Sequence, residues 1–247
     1  MTQHDSKGSV EALGHPPASE PGSTQPTLAR LMLWLSPAFP VGSYSYSHGL
    51  EWIVERGTVG DAATLGAWIE DLLLYGAGRS DAILLAEAWR ALAAGDRDAL
   101  TRVAELAAAL APSAERRLET LAQGTAFLAA TLAAWPKPEL KALAAEGREV
   151  AYPIAVGAAA AAHGLPLVET AHAFAQAFAA NLVSAGVRLI PLGQSDGLRV
   201  LARLEPLIPR VVAGALGASL DDVGGAAIAA DIASMRHETQ YTRLFRS

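Results

Sequence analysis

Residues 166–190 decide the fold and read Pro166-LVETAHAFAQAFAANLVSAGVRL-Ile190. Within this stretch apolar residues recur at the three- and four-residue spacing of one helix face, namely Val168, Ala171, Phe174, Ala175, Phe178 and Leu182. A stripe this broad is typical of a helix that neighbours cover on most of its surface. We therefore predict a central, mostly buried helix that begins near Pro166 and is broken by Pro191 and Gly193.

The same helical spacing extends over the rest of the chain. It predicts helices from Leu28, over 65–73, from Ser80 and Asp81 to Gly95, and over 112–135, 138–146 and 153–163. A further helical stretch, which Gly197 and Pro206 interrupt or flank, runs through Leu216. No segment alternates between apolar and polar residues over more than a few positions, and the abundant alanine favours helix over strand. The pattern predicts an all-α, single-domain bundle of roughly ten helices over residues 28–235.

Composition narrows the choice of partners. The 247 residues are 51% hydrophobic and 18% charged, with a net charge of −6 and no cysteine. So little charge predicts apolar patches covered by a partner, whereas the negative balance argues against nucleic acid. No apolar run reaches the length of a membrane span. We expect a cytoplasmic protein, with residues 1–27 as a disordered N-terminal leader that lacks the apolar core of a signal peptide.

One loop, Ser36-PAFPVGSYSYSH-Gly49, is rich in hydroxyl groups and leads into Leu50-Glu51-Trp52. Its two prolines exclude a regular helix and its glycines permit unusual backbone angles. The loop is either a turn that caps the following helix or a surface that binds a partner. The segment 45–49 also approximates a nucleophile elbow, but it lacks the first glycine and a preceding strand.

A second segment, Asn181-LVSAGVRLIPLG-Gln194, places Arg188 inside an apolar run. Such an arginine either extends its charged end to solvent, or pairs with a carboxylate or with carbonyl groups across a kink. In the latter case the segment is a fixed bend that presents groups to a neighbour. The sequence leaves both interpretations open.

The third segment is the C-terminal tail, residues 236–247, which reads Arg236-HETQYTRLFR-Ser247. It places Tyr241, Leu244 and Phe245 where chain ends are normally polar and frayed. Burial of such side chains against a partner stabilises a complex by about 1.5–3 kcal/mol each. We predict a partner-binding tail whose mate is an apolar groove with an acidic rim. The alternative is that the tail packs on its own domain.

Catalytic and cofactor motifs are weak. His237-ETQ-Tyr241 begins like a zinc motif, but tyrosine occupies the position of the second histidine. No glycine-rich phosphate-binding loop occurs, and the histidines show no ligand-like spacing. We predict no cofactor, no metal site and no catalytic residue. A hydrolase built on Ser47 and His48, or a small helical metalloenzyme, remains the enzymatic alternative.

Taken together, the three segments resemble the UreF family of urease accessory proteins. The stretches that carry the resemblance are Phe39-PVGSYSYSHGL-Glu51, Ala185-GVRLIPLG-Gln194 and His237-ETQYTRLFR-Ser247. Phe39 replaces the commoner leucine. Residues 113–126 keep only a loose likeness to the family pattern, which leaves open which of Glu115, Arg116, Arg117 and Glu119 matter.

This resemblance implies an all-helical, dimeric scaffold without chemistry of its own. It implies binding to a UreD/UreH-type accessory protein and recruitment of a UreG-type GTPase to the urease apoprotein for nickel insertion. A GTPase-activating role, with Arg188, Arg236 or Arg243 as the supplied arginine, is the alternative. The predicted partner-binding residues are Tyr44, Ser45, His48, Glu51, Arg188, Gln194, Arg236, His237, Glu238, Tyr241, Arg243, Leu244, Phe245 and Arg246.

Overall fold

The computed structural model describes residues 24–145 and 149–247. These residues form twelve α-helices and three short 3-10 helices and contain no strand, which confirms the predicted all-α fold. The helices are α1 (Thr24–Trp34), α2 (Leu50–Glu55), α3 (Ala62–Tyr75), α4 (Ala77–Ala93), α5 (Arg97–Ala109), α6 (Ala114–Ala134), α7 (Pro138–Ala145), α8 (Tyr152–Ala162), α9 (Leu167–Leu189), α10 (Gln194–Leu204), α11 (Ile208–Leu216) and α12 (Ile228–His237).

Helix α9 is the predicted central helix. Pro166 is its N-cap residue, and Phe174, Ala175 and Leu182 are buried in the main core. Val168 is an exception, because 49% of its surface is exposed in the first turn. The prediction of a mostly buried helix is confirmed, while Val168 in its first turn faces solvent.

The main apolar core joins the two ends of the described chain, from Leu31 in α1 to Phe245 in the tail. Its densest contact lies between α4 and α8, where a Cβ atom at Gly157 would lie 2.3 Å from the carbonyl oxygen of Leu85. Only glycine permits this approach. Helix α8 in turn packs on α6, and α6 and α2 both contact α12. This stacking places α2, α6 and α12 side by side.

The structure corrects two details of the helix prediction. Ser80 and Asp81 do not begin a helix, because α4 starts at Ala77 after Gly76, whose backbone is in neither the helical nor the extended region. Asp81 instead lies within α4 and lines the interior next to Arg116. Helix α5 was not predicted; its N-terminus is capped by Asp96, whose carboxylate accepts the amide hydrogen of Ala99.

The predicted leader falls mostly outside the described residues. Its last four residues, 24–27, form the first turn of α1. In the described part of the chain, no helix combines the length and the apolar character needed to cross a membrane. The predicted helix over 138–146 corresponds to α7, and its residue 146 also lies outside the described ranges.

Candidate functional site: the tail-binding clusters

The hydroxyl-rich loop and the C-terminal tail form one site. The amide nitrogen of Ser47 and its Oγ both donate to the carbonyl oxygen of Ser247, each at 2.6 Å. The amide of Arg246 donates to the carbonyl oxygen of Ser45 at 2.8 Å. Ser47 Oγ also accepts the amide hydrogen of Glu51 at 3.3 Å and so supports the start of α2. The loop therefore both caps a helix and binds the tail.

An unusual backbone allows this approach. His48 and Gly49 both lie in the left-handed region, with φ values of 56° and 76°, and such a φ is uncommon for a residue other than glycine. A Cβ atom at Gly49 would lie 2.6 Å from the amide nitrogen of Ser234 in α12. Glycine is therefore required at position 49 for the loop to pack directly on the α12 backbone.

The first polar cluster surrounds Glu119 on α6, and we name it the Glu119 cluster. Glu119 Oε1 contacts His48 Nε2 at 2.7 Å and accepts from Gln123 Nε2 at 3.1 Å. Its Oε2 atom accepts from Ser247 Oγ at 2.6 Å and pairs with Arg116 Nη1. Only 2% of the Glu119 side chain is exposed. Four donors saturate one buried carboxylate.

Charge compensation keeps this carboxylate ionised. Burial by itself raises the pKa of Glu119, but Arg116, His48 and Ser247 together lower it to about 2. Burial and the nearby Arg116 lower the pKa of His48, so its ring is neutral near pH 7 and donates from Nε2. Asp81, on the other side of Arg116, has its pKa raised to about 6 by burial.

The second cluster, named the His237 cluster, lies at the end of α12. His237 is fully buried; its Nε2 lies 3.1 Å from Glu51 Oε2 and its Nδ1 lies 2.6 Å from Glu115 Oε2. Arg243 Nη1 donates to Glu115 Oε1 at 2.6 Å. One histidine thus lies between two carboxylates, one from α2 and one from α6.

Glu51 also holds the backbone of the tail. Its Oε1 atom accepts the amide hydrogen of Leu244 at 2.6 Å, and its Oε2 atom accepts that of Phe245 at 2.8 Å. A carboxylate that accepts backbone N–H groups forms charge-assisted hydrogen bonds, which are stronger than neutral ones. Residues 244 and 245 are therefore fixed through their backbone, which leaves their side chains free to face opposite environments.

The side chains of the tail divide between the core and solvent. Phe245 is only 4% exposed, and the guanidinium carbon of Arg188 lies 4.4 Å from the centre of its ring. Leu244 is 65% exposed and Tyr241 is fully exposed. Arg188 also donates to the carbonyl oxygen of Ser184. This arginine thus has its charged end at the surface and connects the second sequence segment to the tail.

The structure brings together most of the predicted site residues. In contact with the loop, the tail or the two clusters are Ser45, His48, Glu51, Arg188, His237, Arg243, Leu244, Phe245 and Arg246. Glu238 lies beside them, where its Oε1 accepts the amide hydrogen of Ala114 and caps α6. Tyr44, Arg236 and Tyr241 are exposed. Gln194 is also exposed. It is the first residue of α10, and its side chain forms no hydrogen bond with the described residues.

In this single chain, residues 243–247 of the tail pack on their own domain, which is the alternative that the sequence left open. Contact of the tail with a partner stays a prediction, and the exposed Tyr241 and Leu244 are the side chains available for it.

The serine–histidine relay of the hydrolase alternative is not formed by the described residues, because Ser47 Oγ donates to Ser247 and His48 Nε2 contacts Glu119. Within the same described ranges, no three histidine, aspartate or glutamate side chains are arranged so that they could hold a metal ion.

Sequence reasoning missed the residues that α6 contributes. Arg116, Glu119 and Gln123 recur at spacings of three and four, which places them on one helix face. The same spacing describes an ordinary solvated face. Only the position of the loop and the tail opposite them shows that this polar stripe points inward.

A cavity of about 130 Å³ adjoins the Glu119 cluster, between α6, α9 and the loop. The polar side chains that line it include His48, Glu119 and Gln123, and its aromatic lining includes Tyr152 and Phe178. His48 Nδ1 is buried and has no hydrogen-bond partner among the described residues. The aromatic rings and this nitrogen make the cavity mixed in polarity.

The fold and the site define a class: all-α proteins in which a loop and three helices hold a short C-terminal tail through buried carboxylates. Comparison with known proteins agrees with this class. The UreF family model matches residues 59–205. Urease accessory protein UreF of Rhodopseudomonas palustris strain HaA2 is 56% identical over 238 residues, which cover 96% of this chain and 99% of that protein.

Two further relatives carry the same name. UreF of Xanthobacter autotrophicus is 55% identical, with 97% of this chain and 98% of that protein covered. UreF of Bradyrhizobium sp. strain BTAi1 is 54% identical, with 90% and 92% covered. The chain belongs to the UreF family of urease accessory proteins.

Proposed function

We propose that this protein is a urease maturation scaffold that binds a UreD/UreH-type accessory protein through α12 and the tail. Through that complex it recruits or regulates a UreG-type GTPase, and nickel is inserted into the urease apoprotein. The names of the relatives, urease accessory proteins, support the accessory role. In this proposal the chain acts in the cytoplasm, as a scaffold and regulator rather than as an enzyme.

The observation that carries the proposal is an apolar surface on α12 and the tail, which we name the α12–tail surface. On α12, Ile228, Ile232 and Met235 are 66%, 46% and 48% exposed. Their spacing of four and three places them on one helix face. The opposite face buries Ala230, Ala233, Ser234 and His237. A helix that exposes large apolar side chains in this way is typical of an interaction site.

The charged residues beside the α12–tail surface indicate what kind of partner surface it binds. Arg236, Arg243 and Arg246 are exposed beside the apolar residues, against the single exposed carboxylate of Glu238 in the tail. An apolar groove with acidic residues at its rim complements this distribution. Aromatic and arginine side chains of this kind often dominate interface energies. Tyr241 is therefore expected to be the principal anchor.

Point substitutions test the proposal better than deletion of the tail, because Phe245 and Ser247 belong to the folded core. The double variant Tyr241→Ala/Leu244→Ala removes only exposed side chains. We expect its affinity for the UreD/UreH-type protein to fall by roughly tenfold to a hundredfold, as measured by titration calorimetry. The thermal unfolding midpoint stays unchanged.

Leu198→Ala is the matched control, because Leu198 is 67% exposed but lies on α10. This variant is expected to bind with unchanged affinity. Wild-type affinity of the double variant would refute the assignment of the partner to the α12–tail surface.

The proposed homodimer has its own candidate surface. Leu28, Met32 and Leu33 on α1 are 61%, 67% and 47% exposed. Light scattering after size-exclusion chromatography measures the mass directly. We expect a dimer for the wild type and a shift towards monomer for Leu28→Ser/Met32→Ser; a wild-type monomer at all concentrations would contradict this part of the proposal.

A GTPase-activating role has one favoured residue. Arg188 lies over Phe245 and Arg243 pairs with Glu115, whereas the exposed side chain of Arg236 forms no ion pair with the described residues. An arginine that stabilises phosphoryl transfer must be free to enter another active site. If the chain activates the GTPase, Arg236→Ala lowers GTP turnover by more than its loss of partner binding explains; turnover that falls only in step with binding favours recruitment alone.

A further inference from the structure

We propose that the His237 cluster is a proton-dependent contact: a protonated His237 holds the tail on the body, and loss of that proton releases residues 243–245. This inference concerns the single chain and does not depend on the proposed urease function. It arises from the position of one buried ring between two carboxylates that also bind the tail.

The geometry determines the charge of the ring. Both ring nitrogens of His237 lie within hydrogen-bond distance of a carboxylate oxygen, Nδ1 at 2.6 Å and Nε2 at 3.1 Å. An ionised carboxylate only accepts hydrogen bonds, so both contacts are satisfied only when both nitrogens carry hydrogen. His237 is also the last residue of α12, where the helix dipole favours a cation. The imidazolium form therefore fits this position.

The two carboxylates transmit the state of the ring to the tail. Glu115 uses its other oxygen to bind Arg243, and Glu51 accepts the amide hydrogens of Leu244 and Phe245. If His237 becomes neutral, one ring nitrogen presents a lone pair to a carboxylate oxygen. That carboxylate must then move away from the ring, and the tail residue that it binds loses its fixed partner.

The charged neighbours support this direction. Glu51 from α2, Glu115 from α6 and Arg243 from the tail face the ring, while Arg236 and Glu238 on either side of His237 are exposed. With His237 protonated, the two carboxylates and the two cations balance. With His237 neutral, the buried group retains an uncompensated negative charge, which a partly desolvated site disfavours. The contact of the tail with this cluster is therefore strongest while His237 is protonated and both carboxylates are ionised, and it weakens when a rise in pH removes the proton.

Hydrogen exchange of the tail amides tests this inference. Protection of Leu244 and Phe245, corrected for the intrinsic pH dependence of exchange, is measured at intervals from about pH 5.5 to about pH 9, on either side of neutral pH. We expect protection to fall by about tenfold or more, which corresponds to the loss of one hydrogen bond to a charged group. The ring ¹⁵N shifts of His237 in the wild type report its protonation in the same samples.

Two variants separate His237 from other groups. His237→Gln cannot titrate, so its tail protection is expected to be low and independent of pH. Asp81→Asn removes a buried carboxyl group near Arg116 whose pKa is raised to about 6, and its tail protection is expected to keep the wild-type pH dependence.

Two results would overturn the inference. One is a neutral His237 ring at about pH 6 in a chain whose tail is fully protected. The other is tail protection in the wild type that does not change while the ring shifts report loss of the proton. Both are measured on the wild type, so the test holds even if His237→Gln fails to fold.

Discussion

The Glu119 cluster and the His237 cluster both join a histidine, a carboxylate and the tail, but they balance charge differently. Glu119 is a single carboxylate that four donors surround, including the permanent cation of Arg116. In the His237 cluster two carboxylates share one histidine, and Arg243 is 41% exposed. The first cluster keeps its charges over the physiological pH range, whereas the second depends on a proton. The tail thus has one permanent and one conditional anchor.

Removal of the permanent anchor should have the largest effect. Glu119→Ala leaves Arg116 as an unpaired buried cation and removes the partner of His48. We expect the free energy of unfolding to fall by about 3–5 kcal/mol, as measured by urea denaturation. Glu169→Ala, at an exposed position in the first turn of α9, is the control and should change stability by less than about 0.5 kcal/mol. A similar small change for Glu119→Ala would show that the cluster is not a stabilising centre.

Acid should weaken the same anchor. The pKa of Glu119 is lowered from its ordinary value of 4.5 to about 2, so its contribution is complete above the unfolded pKa and is lost as the pH falls from about 5 to about 2. We expect a loss of up to about 3 kcal/mol from this group. Urea denaturation across that range measures it. Glu119→Gln should show a correspondingly flatter pH dependence, and an unchanged slope would contradict the prediction.

Removal of the conditional anchor should act locally. Glu51→Ala frees the amides of Leu244 and Phe245 and unpairs one nitrogen of His237. We expect tail protection to decrease by about 1–3 kcal/mol in hydrogen exchange, with the helices of the core unaffected. Glu55→Ala on the same helix is the matched control, since Glu55 binds only the side chain of Gln240 at the surface. If Glu51→Ala and Glu55→Ala lowered tail protection equally, the buried contacts of Glu51 would hold the tail no better than the exposed contact of Glu55, which would contradict the prediction.

The smallest effect is expected at Arg188. Arg188→Ala removes the guanidinium group above Phe245, and a partly exposed cation–π contact contributes about 0.5–1 kcal/mol. The amide exchange of Phe245 measures this change. Arg188→Lys keeps the charge without the planar group and should recover part of the loss; a lysine variant as weak as the alanine variant would assign the effect to stacking.

The helices that could be predicted are those that a pattern of neighbouring residues in the sequence marks. The apolar stripe from Ala171 to Leu182 identifies α9, because the three- and four-residue spacing of its apolar side chains matches the turn of an α-helix. The start of α4 could not be predicted, because Ser80 and Asp81 imitate a cap while Gly76 supplies the actual break. Helix α5 was missed although its buried residues, Leu100, Val103 and Ala107, recur at helical spacing.

The candidate site divides in the same way. The loop, the Arg188 segment and the tail are recognisable from their residues, and the structure shows that all three meet. The sequence did not predict which tail side chains are buried: Phe245 is buried whereas the adjacent Leu244 is exposed. Both are large apolar residues, and nothing in their local sequence distinguishes a core contact from a free surface.

By itself the sequence determined the all-α class, the central helix and the three segments of the site, because helical periodicity and short motifs are properties of neighbouring residues. Only the tertiary structure decided which polar groups are buried together. Glu119 meets Ser247 across 128 positions, and Glu51 meets His237 across 186. The charge state of such a group depends on partners that the packing of α2, α6 and α12 brings within 3 Å or so of it. For that reason the proton dependence of the tail follows from the fold and not from its motif.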